Sequence, residues 1–146
     1  MIKNPWKGPW LVCFLPGPQH WFMRLVSRRK PPFDHVCLLR PLGNDSFLFI
    51  EWTLMGLAIT TLTGAQASVV LGDVADHGAL LRYEVRQRLP RPNILNGWLP
   101  STCVTLSRQI LGLPPSWRIW TPYSLWCELQ RRGGHALMQP PEKRFP

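Results

Sequence analysis

In the stretch GWLPSTCVTLSRQILGLPP, from Gly97 to Pro115, a cysteine stands just behind a proline and two hydroxyl residues. Ser101 or Thr102 can cap a helix there, and Gly112 followed by two prolines can stop it. The spacing therefore predicts a short helix through about Leu111 with Cys103 in its first turn. A helix N-terminus presents unpaired amides and a partial positive charge. Both favour a thiolate, so a first-turn cysteine is a candidate nucleophile. The same amides can hold an oxyanion during acyl transfer. The competing reading is a core thiol packed on Leu106 and Ile110.

A nucleophilic thiol needs an imidazole beside it. His35 opens the apolar run FDHVCLLR, and Glu51 closes the next one, FLFIEW. If the two runs pair antiparallel across PLGNDS, centred near Gly43, positions 35 and 51 face each other at one end of the hairpin. A carboxylate placed there can orient an imidazole, and a carboxylate ending an apolar strand itself needs a polar partner. Two other histidines compete: His20 at the start of HWFMRLV and His77 in the acidic turn DVADH. Asp73, Asp76 and His77 fall short of a full ligand set, so no metal site and no cofactor are expected.

These residues have to be positioned by short elements, because sixteen prolines punctuate the chain. The first two-thirds read as strands: PWLVCFL, HWFMRLV, FDHVCLLR, FLFIEW, and then the β-rich runs LAITTL and ASVVLG. In ALLRYEVRQ, Leu81, Tyr83 and Val85 alternate with Arg82, Glu84 and Arg86, as in a strand with one wet face. Successive short strands with tight turns predict an antiparallel meander. The last third changes period. After the Cys103 helix, Thr121 caps a second one, Pro122 takes its first position and Gly133 ends it. Leu125 and Leu129 share one face, and Arg131 and Arg132 sit at the end that favours cations. The expectation is one α+β domain, residues 1–146: an antiparallel β-meander followed by two helices, with a core over 9–133 and a loose tail over 134–146.

A strand-opening His, a Glu one strand later and then a Cys at a helix N-terminus resemble the order in the circularly permuted branch of papain-like, NlpC-type thiol hydrolases. The chain is also similar to small papain-like proteins encoded in phage and prophage genomes. The matching pieces are FDHVCLLRP, FLFIEW, STCVTLSRQILGL and TPYSLWCEL, within Phe33 to Leu129. The resemblance implies a papain-like fold in permuted order. It assigns Cys103 as nucleophile, His35 as base and Glu51 as the orienting residue, acting on a peptide or ester substrate. The chain departs from the pattern in two ways. Pro100, Ser101 and Thr102 stand where a side-chain oxyanion donor would precede the Cys, and a Glu occupies the orienting position.

Charge supplies the alternatives. Seventeen Lys and Arg against eight Asp and Glu give a formal net charge of +9, which favours anionic neighbours. The turn SRRK, with Arg28, Arg29 and Lys30, is the candidate nucleic-acid contact, and interleaved tryptophans could stack on bases. No helix-turn-helix, zinc-finger or RNP pattern accompanies it. A third reading is a basic phage virion or tail component with an inactive papain-like fold, partnered by other virion proteins. The four cysteines are widely spaced, which argues against a zinc ribbon or a CxxC redox pair. Cys13, Cys37 and Cys127 sit in apolar runs and are expected to be buried. No secretory signal is visible, and a cytoplasmic or virion-associated location is expected. The apolar stretch Phe47 to Ala65 is long enough for a membrane span. It holds Glu51, however, and reads better as two strands joined near TLMG.

Overall fold

Apolar runs without polar alternation, such as WLVCFL and HVCLL, imply strands buried on both faces. In the computed structural model, which describes residues 7–16, 33–53, 56–85, 102–114 and 116–140, this is how they are used. Strands β1 (Gly8–Leu15), β2 (His35–Gly43), β3 (Ser46–Thr53) and β4 (Gly56–Thr63) form an antiparallel meander. Helix α1 (Gly64–His77) follows, and β5 (Ala79–Val85) returns beside β1. Helices α2 (Cys103–Ile110) and α3 (Pro122–Arg131) come next, and β6 (His135–Met138) adds to β5. The sheet order is β4-β3-β2-β1-β5-β6. The α+β class holds.

The elements differ from the expectation in three places. ASVVLG and the expected turn DVADH lie inside α1 rather than in a strand and a loop. Thr63 and Gln66 form a reciprocal capping box, with the Gln66 amide donating to Thr63 Oγ1 and the Thr63 amide to Gln66 Oε1. That local start outweighs the β-branched pair Val69 and Val70. The meander is also not simply followed by two helices, since α1 and β5 intervene. Finally, the stretch expected to be a loose tail begins with β6, which pairs Ala136 with Leu81. The expected strand HWFMRLV lies outside the described residues.

Two packed faces follow from the strand alternation. Trp10, Val12 and Phe14 of β1, with Val36, Leu38, Ile50 and Leu81, bury against Val104 and Ile110 of α2 and Leu125, Trp126 and Leu129 of α3. Cys13, Cys37, Leu39 and Leu80 point the other way and bury with Val74 of α1. Thus α2 and α3 cover one face and α1 the other. Phe14 stacks edge-on against Trp126, with ring centroids 5.2 Å apart. At the far side, β4 is the sheet's outermost strand; Leu57 and Ile59 on it are exposed. The span-length stretch from Phe47 resolves into β3, β4 and the start of α1. Among the described residues no helix is long and apolar enough to cross a membrane.

The β2–β3 hairpin sets the position of the candidate site. Asn44 and Asp45 both have positive φ, 50° and 57°, as a two-residue hairpin turn requires. Gly43, at φ 95°, precedes them, and the register slips between Pro41 and Gly43. Beyond that irregularity Leu38 faces Ile50 and Cys37 faces Glu51. The expected facing of 35 and 51 is therefore displaced by two positions, because the turn forms beyond Gly43 and a bulge follows it. A displacement of two keeps every side chain on its original face, so Glu51 becomes the diagonal neighbour of His35.

Candidate active site

The thiol is placed by a capping box. Thr102 has an extended backbone, φ −125° and ψ 166°, and its Oγ1 accepts from the Thr105 amide at 3.2 Å. Thr105 Oγ1 in return accepts from the Thr102 amide at 2.8 Å. The helix ladder opens with the Leu106 amide on the Thr102 carbonyl. Cys103 is therefore the first helical residue, and its own amide and that of Val104 lie outside the helix's internal bonds. Val104, Ser107, Arg108 and Leu111 form the buried stripe of the helix and its end. Cys103 borders that stripe, half-buried against the core. Cys103 thus touches the core without being enclosed by it.

His35 is the first residue of β2, opposite Leu15 of β1. Its Nε2 lies 2.8 Å from Glu51 Oε1, and the two side chains are 24% and 30% exposed. A side-chain hydrogen bond with Cys103 is the chief reason the imidazole is held above its ordinary value. Burial pulls the other way, and electrostatic interaction with Cys103 and the bond and charge of Glu51 add to the rise. Helix α2 packs against β2 and β3. The structure thus brings Cys103, His35 and Glu51 together from a helix and two strands. Nε2 is the ring nitrogen that meets Glu51.

Cys37 sits directly behind this group. It is the register partner of Glu51 on β3 and of Cys13 on β1. A hydrogen bond with Cys13 pushes its thiol well above the ordinary value, helped by burial and then by electrostatic interaction with Cys13, Glu51 and Cys103. At neutral pH it stays protonated, packed in the apolar cluster on the α1 face of the sheet. Cys127 is exposed, contrary to the expectation from LWCEL. The buried stripe of α3 runs through Leu125, Trp126 and Leu129 and leaves position 127 outside.

The other candidates separate from this group. His77 ends α1 instead of lying in a turn, and its Nδ1 meets Asp73 Oδ1 one helical turn back at 3.1 Å, in the open. Among the described residues no three His, Cys, Asp or Glu side chains gather as a metal site. His20, Arg28, Arg29, Lys30, Pro100 and Ser101 lie outside the described residues. Leu81 and Val85 are buried while Arg82 and Glu84 are exposed, as the alternation predicts.

One residue the sequence reading passed over is Arg108, 2% exposed. Its Nη1 donates to the carbonyls of Ser116 at 2.7 Å and Ile119 at 3.3 Å, while its Nε is buried without a partner. The available signal was its spacing, four residues after Val104 and three before Leu111 on the apolar stripe. No family model matches the chain, and no match appears among curated proteins or solved structures.

Proposed function

We propose that the protein is a papain-like thiol hydrolase in permuted order, cleaving an amide or ester through a cysteinyl acyl-enzyme. The observation that carries this reading is the meeting of a helix-start thiol, an imidazole and a carboxylate drawn from three elements far apart in sequence. Cys103 Sγ attacks the substrate carbonyl carbon as its proton passes to His35. The resulting oxyanion lies within the field of the α2 N-terminus, where the Cys103 amide is the nearest backbone donor the helix leaves unused. The bond to the leaving amine or alcohol then breaks, and the imidazolium returns its proton to that group. Water attacks the thioester carbonyl, His35 accepts a proton from it, and the acid leaves as the thiol is restored. Glu51 accepts the Nε2 hydrogen throughout, fixing the ring and stabilising its charged form.

Acyl trapping tests this reading. Because Cys127 is exposed, the assay uses a Cys127→Ser background. Brief treatment with p-nitrophenyl acetate should add a single acetyl group at Cys103, found by peptide mass spectrometry. His35→Ala should abolish the adduct. A folded protein that never acylates at Cys103, or one that acylates equally well without His35, contradicts the assignment.

A further inference from the structure

The segment joining α2 to α3 is held from the inside. Arg108 fixes the carbonyls of Ser116 and Ile119, and the Ile119 side chain enters the core, 6% exposed. Fixing these points turns the neighbouring side chains outward. Trp117 is 83% exposed, Trp120 72% and Tyr123 45%. Trp126, one turn further on, is buried against Phe14 and Phe33. The Arg118 guanidinium lies over the Trp117 ring, 5.2 Å from its centroid. A desolvated arginine therefore stabilises a turn that leaves three aromatic rings and one cation facing water. Scattered apolar residues are ordinary on a surface; three large rings within seven residues call for an occupant.

We propose that this turn is a peripheral docking surface for an anionic phospholipid bilayer. Trp117, Trp120 and Tyr123 enter the headgroup layer, and Arg118 meets lipid phosphate. Trp and Tyr favour that layer because each ring has an apolar body and a polar edge. The net charge of +9 draws the protein to a negative leaflet. Charge density argues against nucleic acid as the occupant. Tracking a phosphate backbone takes several cations along the contact, and Arg118 is the only Lys or Arg between Gly112 and Gln130. The surface adjoins the C-terminal end of α2, whereas Cys103 begins that helix, so the proposal is independent of the thiol chemistry.

Co-sedimentation with phosphatidylcholine vesicles, with and without about one-third phosphatidylserine, tests the proposal. The wild-type chain should pellet with the anionic vesicles and much less with phosphatidylcholine alone. Trp117→Ala and Trp120→Ala should each weaken partitioning about tenfold, and Arg118→Gln about fivefold. Circular dichroism should be unchanged for all three, since these side chains are exposed. Cys103→Ala should bind like wild type. The proposal fails if wild type ignores the vesicles, or if folded tryptophan variants bind them equally well. It fails equally if those variants lose affinity for a single-stranded oligonucleotide but not for vesicles. A concentration-dependent dimer that they dissolve, without loss of vesicle binding, would assign the surface to a second copy.

Discussion

Replacing Glu51 by Gln removes one charge from the candidate site while keeping an oxygen where Oε1 now meets His35 at 2.8 Å. A hydrogen bond between charged groups is worth about 1.5–3 kcal/mol. Both side chains are partly open to water, at 24% and 30% exposure. Solvent screening then puts the loss nearer 1–2 kcal/mol. That loss falls on the imidazolium, and through it on the thiolate that forms beside it. Alkylation of Cys103 by iodoacetamide, in the Cys127→Ser background and at pH about 6, should therefore slow roughly fivefold to thirtyfold. His35→Ala should slow it at least as much. Glu51→Gln combined with His35→Ala should be little worse than His35→Ala alone, because residues acting as one unit are not additive. Thermal melts of each variant separate lost chemistry from lost fold. If both single variants stay folded and alkylate at the wild-type rate, the three residues do not act as one site, and Cys103 is a core-edge thiol.

Two further outcomes concern stability. Glu128 receives Nη2 of Arg131 and Nε of Arg132, each at 2.6 Å, and its carboxyl is held down at about 2 from an ordinary 4.5. The bond from Arg131 is the largest cause. A depressed carboxyl stabilises the fold above its unfolded value and ceases to as pH falls through its folded one. Glu128→Gln should therefore cost about 0.5–1 kcal/mol at neutral pH, a surface-sized effect, and the gap from wild type should close between pH 4.5 and about 2 in acid-titrated melts. Arg108→Ala should cost about 3 kcal/mol or more in urea unfolding, since it opens a cavity and strands the Ser116 and Ile119 carbonyls. Arg108→Met keeps the apolar stem and removes the desolvated cation, so its loss should be smaller; an equal loss would show that the two hydrogen bonds dominate.

Much of the site was readable because its parts are local or periodic. Thr102, Thr121 and Pro122 mark helix starts by their own side-chain chemistry, and each does so in the structure. His35 and Glu51 share a face by the period of two, which survived a register error because the error was even. Where reading failed, a weaker signal was followed over a stronger one. Val69 and Val70 suggested a strand, although Thr63 and Gln66 already carried the spacing of a capping box. Cys127 was judged by its apolar neighbours rather than by its angle around α3. The place of β5 beside β1 and the burial of Arg108 depend on contacts between distant segments, which no local pattern reports.

The outermost strand β4, GLAITTLT, carries neither charge nor proline, and Leu57 and Ile59 on it are bare. Its far side has no strand partner among the described residues. Proteins usually discourage growth at such a margin with a lysine, a proline or a bulge, and none is present in β4 itself. Among the described residues no other strand covers that margin, and colloidal repulsion opposes growth there. A net charge of +9 on each copy opposes contact at low ionic strength. Added salt shortens its reach to about 10 Å at 0.1 M and about 3 Å at 1 M. High-salt buffers, often chosen to strip contaminants from basic proteins, therefore weaken what keeps these molecules apart, and dilute, low-salt handling suits them better.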